Sequence, residues 1–119
     1  MQDIVTLHVN DWKQQLKKGT LELAVLALLK AKRSYGLELL ERLKEMEIEV
    51  SDGSIYPLLS RLRVEKKVST EWVDEDMGHA HKYYALTPHG NRILRGMLAA
   101  WSDYAAAINR VAGKADNHE

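Results

Sequence analysis

The sequence predicts a mainly α-helical domain with a small β-hairpin, an α+β arrangement, followed by a long last helix set apart from it. Three observations carry this prediction. Apolar residues recur at helical spacing in successive stretches between Leu21 and Lys67. Two short segments rich in β-branched and aromatic residues, Val68–Val73 and Lys82–Leu86, flank a polar tip, Asp74 to His81, that contains Gly78. Beyond Thr87, apolar residues repeat at alternating spacings of three and four, the seam of a helix that pairs with another helix.

Taken in order, Met1 to Val9 is weakly patterned and fits an arm that becomes ordered against a partner. Asn10 suits a cap for a short helix over Asp11–Lys17, anchored by Trp12 and Leu16 and stopped by Gly19. Thr20 then caps a helix from Leu21 to about Lys32, with Leu21, Leu23, Val25, Leu26, Leu28 and Leu29 leaving almost no polar side, so it is expected to be buried nearly all round. Ser34-Tyr35-Gly36 breaks the pattern, which Leu37, Leu39, Leu40, Leu43 and Met46 resume with glutamates outside. Ile48–Val50 joins this helix to Ser51–Lys67, a pair that makes a helix-turn-helix candidate. Thr87 and Pro88 supply a cap and a first-turn proline for the last helix, expected to run to about Val111. The expected divisions are thus an arm and short helix over 1–19, a winged helix-turn-helix domain over 20–86, a dimerisation helix over 87–112 and a disordered tail over 113–119.

Several classes are excluded by composition. At 119 residues the chain suits one domain with a modest core. It has no apolar run approaching the roughly 18 to 20 residues that span a bilayer, so no membrane association is expected. Without cysteine there is neither disulfide nor thiolate chemistry, and with no signal sequence at its start the chain fits a cytoplasmic setting. Its 17 Lys and Arg balance 17 Asp and Glu, but the balance is uneven along the chain. Between Ser51 and Lys67, the four cations Arg61, Arg63, Lys66 and Lys67 face only Asp52 and Glu65. Positive charge is local to this third helix, where Ile55, Leu58, Leu59 and Leu62 form a packing face. Pro57 is out of place if that helix starts at Ser51, because it removes a backbone hydrogen bond beyond the first turn; a bend or a later start is expected.

Four segments together resemble the PadR-like transcriptional regulators. They are Lys18-Gly19-Thr20-Leu21-Glu22, Tyr35-Gly36-Leu37-Glu38, Gly53-Ser54-Ile55-Tyr56-Pro57-Leu58-Leu59-Ser60-Arg61-Leu62, and Lys82-Tyr83-Tyr84-Ala85-Leu86-Thr87-Pro88-His89-Gly90. The resemblance spans about Leu16 to Trp101. It implies a winged helix-turn-helix repressor that binds DNA as a dimer through its last helix, with a small effector often bound near the dimer contact. Two departures stand out. Lys67 occupies the place where many relatives close the recognition helix with glycine, and Gly78-His79-Ala80-His81 replaces the arginines common at the wing tip.

The expected DNA contacts follow from placement. Ser54, Tyr56 and Ser60 are assigned to the major groove, Arg61, Arg63 and Lys66 to phosphates or guanines, and His79, His81 and Lys82 to the wing contact. The competing reading of the third helix is a solvated basic face. Lys17, Lys18, Lys30, Lys32 and Arg33 add phosphate contacts or simply solvate the surface. For His79 and His81, a metal site with Asp74 or Asp76 is a weak reading without a third placed ligand, so no metal or other cofactor is expected. Plain loop residues and a pH-sensitive phosphate contact are the remaining readings.

Leu94, Met97, Trp101, Tyr104, Ile108 and Val111 are the expected dimer seam. Trp101 reads as an interface anchor or as one wall of a pocket for a small aromatic effector. Trp72 reads as packing within the wing. The leading expectation is a homodimeric regulator, a repressor, of double-stranded DNA at an inverted repeat. The alternative is a winged-helix module that meets a protein instead, distinguished by weak salt dependence. No nucleophile elbow or phosphate loop points to an enzyme.

Overall fold

A computed structural model describes residues 3–76 and 78–117. The elements run α1 (Ile4–Ala31), β1 (Ser34–Tyr35), α2 (Gly36–Glu45), α3 (Asp52–Val64), β2 (Val68–Asp76), β3 (His79–Leu86) and α4 (Pro88–Asn117). The first correction lies in α1, where arm, short helix and first core helix are one helix of 28 residues. Asp3 caps it by accepting the Thr6 amide at 2.8 Å. Gly19 does not stop it: one internal glycine costs only about 1 kcal/mol, which the continuing hydrogen bonds and the buried Val25, Leu26 and Leu29 outweigh. Thr20 is no cap either, since its hydroxyl donates back to the Leu16 carbonyl at 2.8 Å inside the helix. Trp12, expected as an anchor, is 61% exposed. Residues 1 and 2 of the expected arm lie outside the described residues.

Ser34 and Tyr35 form a strand rather than a plain break. They pair antiparallel with Tyr84 and Tyr83, giving a three-stranded sheet in the order β1-β3-β2. Arg42 secures the corner before this strand. Its guanidinium donates to the hydroxyl of fully buried Ser34 at 2.7 Å and to the Leu28 carbonyl at 3.0 Å, a second donor beside the Lys32 amide at the end of α1. Helix α2 ends with Glu47 at a φ of 62°, and the Ile48 amide donates to the Leu43 carbonyl at 2.8 Å. That is a left-handed C-terminal turn made without glycine.

Helix α3 starts where expected, with Ser51 as its cap, and continues through Pro57; no later start occurs. Its far end repeats the α2 solution. Lys66, not Lys67, takes the left-handed conformation at a φ of 62°, and the Lys67 amide donates to the Leu62 carbonyl at 2.9 Å. Helix α4 begins on this turn. The Thr87 hydroxyl donates to the Lys66 carbonyl at 2.7 Å and accepts the Gly90 amide at 2.9 Å, and the Thr87 amide donates to the Lys67 carbonyl. A side chain at Gly90 would overlap the Lys67 carbonyl, so the Thr-Pro-His-Gly sequence is a close-contact joint.

One core joins these elements: Val25, Leu26 and Leu29 of α1, Leu39 and Leu43 of α2, the four apolar residues of α3, Val68, Tyr84 and Leu94. Leu94 is fully buried there, which corrects its assignment to the dimer seam; helical spacing reports an apolar face but not what covers it. Met97 packs against the same core. Helix α4 also runs past Val111 to Asn117, so residues 113–117 of the expected tail are helical, and residues 118 and 119 lie outside the description. The radius of gyration is 17.6 Å, against roughly 13.5 Å for a compact chain of this length, because both long helices project beyond the core.

Candidate nucleic-acid interface

Helix α3 buries Ile55, Leu58, Leu59 and Leu62 and leaves Ser54, Tyr56, Pro57, Ser60, Arg61, Arg63 and Val64 in solvent. The buried side holds the helix so that the other side is presented as a fixed surface. Tyr56 is oriented by a specific neighbour: its ring occupies the space where a side chain at Gly36 would lie, so the start of α2 is a seat for the tyrosine. Beside it, burial pushes the Tyr84 hydroxyl pKa up, Tyr56 adds to the rise and Arg63 opposes it. Tyr56 and Arg63 therefore lie on the side of the helix nearer the Tyr84 hydroxyl.

The opposite flank is different. Arg61 is placed among carboxylates: its Nη2 lies 2.9 Å from Glu22 Oε1 and its Nη1 lies 3.2 Å from Glu65 Oε1. Lys67 meets the same two residues at 2.8 and 2.9 Å. The Glu22 carboxyl pKa is lowered: burial works upward, but hydrogen bonds from Lys67 and Arg61 outweigh it. Among the described residues, Arg63 and Lys66 make no ion pair, so they are the unmatched cations of this region. The other basic cluster is largely engaged: Lys17 donates to the Glu49 carbonyl, Lys30 to Asn91, Lys32 pairs with Glu38 and Arg33 with Glu71.

The wing is longer than its composition suggests. Strand β2 reaches Asp76 and β3 begins at His79, so both histidines are strand residues rather than loop residues. His79 is exposed near the turn, whereas His81 stacks on Tyr35 with ring centroids 4.1 Å apart. Tyr83 meets Tyr35 edge-on at 5.4 Å, and Arg33 lies over Tyr83 at 5.0 Å. His81 thus helps fasten β3 to β1. Among the described residues no three potential metal ligands converge.

Lys82 sits opposite Trp72 in the ladder, two residues before Tyr84 and on the same face. Trp72 is 68% exposed, which corrects its reading as internal wing packing. Alternation along β2 marks Trp72 as a strand residue but does not say that its face lacks cover. Val64, 76% exposed on the outer side of α3, was likewise absent from the expected contacts. Its sequence signal was its place outside the Ile55–Leu62 packing pattern.

A third helix held outward by its apolar face, with a two-stranded antiparallel wing beside it, defines the winged helix-turn-helix class of DNA-binding proteins. The family model for the transcriptional regulator PadR-like family matches residues 25–96, more than half of the chain. The chain belongs to this family of DNA-binding transcriptional regulators.

Solved structures agree. A PadR family transcriptional regulator from Eggerthella lenta superposes with a TM-score of 0.82 at 29% identity, covering 90% of this chain and 94% of the other. A PadR-like transcription factor from Bacteroides fragilis is 35% identical, with a TM-score of 0.71 over 85% of this chain and 98% of that one. A PadR-like regulator from Bacillus cereus is 33% identical, with a TM-score of 0.73 over 82% and 95% of the two chains. A comparison with curated protein sequences finds no match. Among the described residues no helix is long and apolar enough to cross a membrane.

Proposed function

We propose that the protein is a homodimeric repressor that binds an inverted-repeat operator in double-stranded DNA. The observation that carries this is the two-sided α3, its packing face buried and Ser54, Tyr56, Ser60 and Arg63 outward, with Lys66 exposed on the turn that follows. Ser54, Tyr56 and Ser60 read the major groove, Arg63 and Lys66 meet phosphates, and Lys82 and His79, with Trp72, form the wing contact. Dimerisation rests on the second set of exposed apolar residues: Trp101, Tyr104, Ile108 and Val111 on α4, and Ile4, Val5, Leu7, Val9, Trp12 and Leu16 on α1. Solvent-facing apolar residues in such number are characteristic of an interface. A two-fold dimer sets the two α3 helices about 34 Å apart, one helical turn of DNA.

The test is selection of genomic fragments by purified protein, followed by titration of the winner against salt. Recovery of one inverted repeat bound with a steep salt slope supports the proposal. Recovery of nothing above background, or binding indifferent to salt, refutes it in favour of a protein-binding module.

A second reading concerns control. A groove of about 640 Å³ lies along α1, its apolar lining of Leu16, Leu23, Ala24 and Ala27 continued by Ile48 after α2 and by Trp101 of α4, with Lys13, Lys17 and Glu47 also lining it. Its size and apolar lining suit a small aromatic effector, which releases DNA if it prefers a dimer geometry that spoils the helix spacing. Titration of aromatic compounds into a Trp12→Phe, Trp72→Phe variant reads Trp101 alone; an unchanged spectrum across the panel removes this reading.

A further inference from the structure

The sequence placed Arg61 among the DNA contacts, yet the structure surrounds it with carboxylates. Glu22 lies on α1, and each of its oxygens takes a different cation: Oε1 meets Arg61 in the last turns of α3, and Oε2 meets Lys67 just beyond it. Glu65 bridges the same two cations, closing a ring of alternating charge. Glu22 is the more covered partner, its side chain 18% exposed against 49% for Arg61. Ion pairs gain strength and fix geometry where solvent is partly excluded and both carboxylate oxygens are engaged.

The opposite side of this turn is gripped by α4, through Thr87 and Gly90. The end of α3 is therefore held between the two helices that carry the exposed apolar residues, and Glu22 is the α1 side of that grip. We propose that Glu22 is a positioning residue for operator recognition and that Arg61 serves as its partner rather than as a phosphate contact. Through Glu22, the pose of α3 follows the pose of α1. The inference rests on the DNA-binding reading above.

Three variants test it on the selected operator duplex and on an unrelated duplex, across a salt series and at a temperature where circular dichroism shows each variant folded. Glu22→Gln removes a negative charge, so electrostatics alone would tighten both duplexes. The positioning role predicts instead that operator binding weakens about fivefold or more while the unrelated duplex is bound unchanged or more tightly. Arg61→Met is expected to show the same selective loss with an unchanged salt slope, and the double variant to be no worse than the weaker single one.

Two results overturn the proposal: an Arg61→Met slope flatter by about one unit, the mark of a lost phosphate contact, or a Glu22→Gln protein that binds both duplexes equally well or better than wild type. Should the glutamine variant fail to fold, Glu22→Asp keeps the charge but withdraws it by one methylene and carries the same test: a selective loss at the operator supports the role, unchanged binding refutes it. Failure of the DNA-binding reading is separate, because it appears in the wild type, as binding that neither prefers a duplex nor responds to salt.

Discussion

Replacing Leu94 by alanine separates the core role of this residue from the interface role that its spacing suggests. Leu94 is 0% exposed within a single chain, packed in the cluster that includes Leu26 and Leu59. Truncation of a leucine so fully enclosed costs about 3–4 kcal/mol, transfer and cavity together. With an unfolding entropy of about 2.1 cal/mol/K per residue, the 119-residue chain loses about 4 °C of Tm per kcal/mol, so a fall of about 12–16 °C is expected. Ile108, 49% exposed, provides the contrast. Ile108→Glu leaves the single chain's packing intact and is expected to lower association and flatten the dependence of Tm on protein concentration, since a folded monomer gains nothing by mass action. Differential scanning calorimetry at several concentrations, with sedimentation equilibrium, reads both effects. A Leu94→Ala protein that keeps its Tm but dissociates would refute the placement of Leu94 in the core.

Other outcomes follow from single contacts. Gly19→Ala is expected to raise Tm by about 2–4 °C, since a methyl there meets nothing within 4 Å and α1 gains about 0.5–1 kcal/mol of helix propensity; a fall in Tm would show that another surface covers Gly19. Arg42→Met removes its bonds to the Leu28 carbonyl and the buried Ser34 hydroxyl, leaving the first with the Lys32 amide and the second with the Lys32 carbonyl, and is expected to cost about 1–2 kcal/mol in urea unfolding, with no loss refuting its role in securing the corner. The depressed Glu22 pKa has a definite sign: the carboxylate contributes stability above its unfolded value near 4.5, and that contribution disappears as pH falls through the lower folded value. Stability between pH 5 and about 3 should therefore decline less in Glu22→Gln than in wild type, and equal slopes would count against the ion-pair ring.

The parts legible in the sequence were those whose signal is local. The apolar face of α3, the Thr87–Pro88 start of α4 and the two sides of the hairpin each declare themselves within a dozen residues. What escaped depends on distant partners. Ser34-Tyr35 is too short to show a strand period and becomes one only by pairing with Tyr84 and Tyr83. Gly19 reads as a stop because propensity is local, whereas the packing that carries α1 past it comes from α2, α3 and α4. In the interface, Ser54, Tyr56, Ser60 and Arg63 face outward as their spacing implied. Arg61 did not remain free, because the carboxylate that pairs with it stands on α1, 39 residues earlier in the chain.

The pairing of Ser34 with Tyr84 also orders events during synthesis. The first strand of the sheet leaves the ribosome fifty residues ahead of the strand that completes it. Until β3 emerges, Ser34 and Tyr35 have no ladder partner, Tyr84 is missing from the core, and Leu94 has yet to close over Leu26 and Leu59. Nascent chains that have exposed α1 to α3 but not β3 therefore present an open leucine surface to folding chaperones. Translation pauses that let α1 to α3 emerge while β3 is still held inside the ribosome should prolong that exposure.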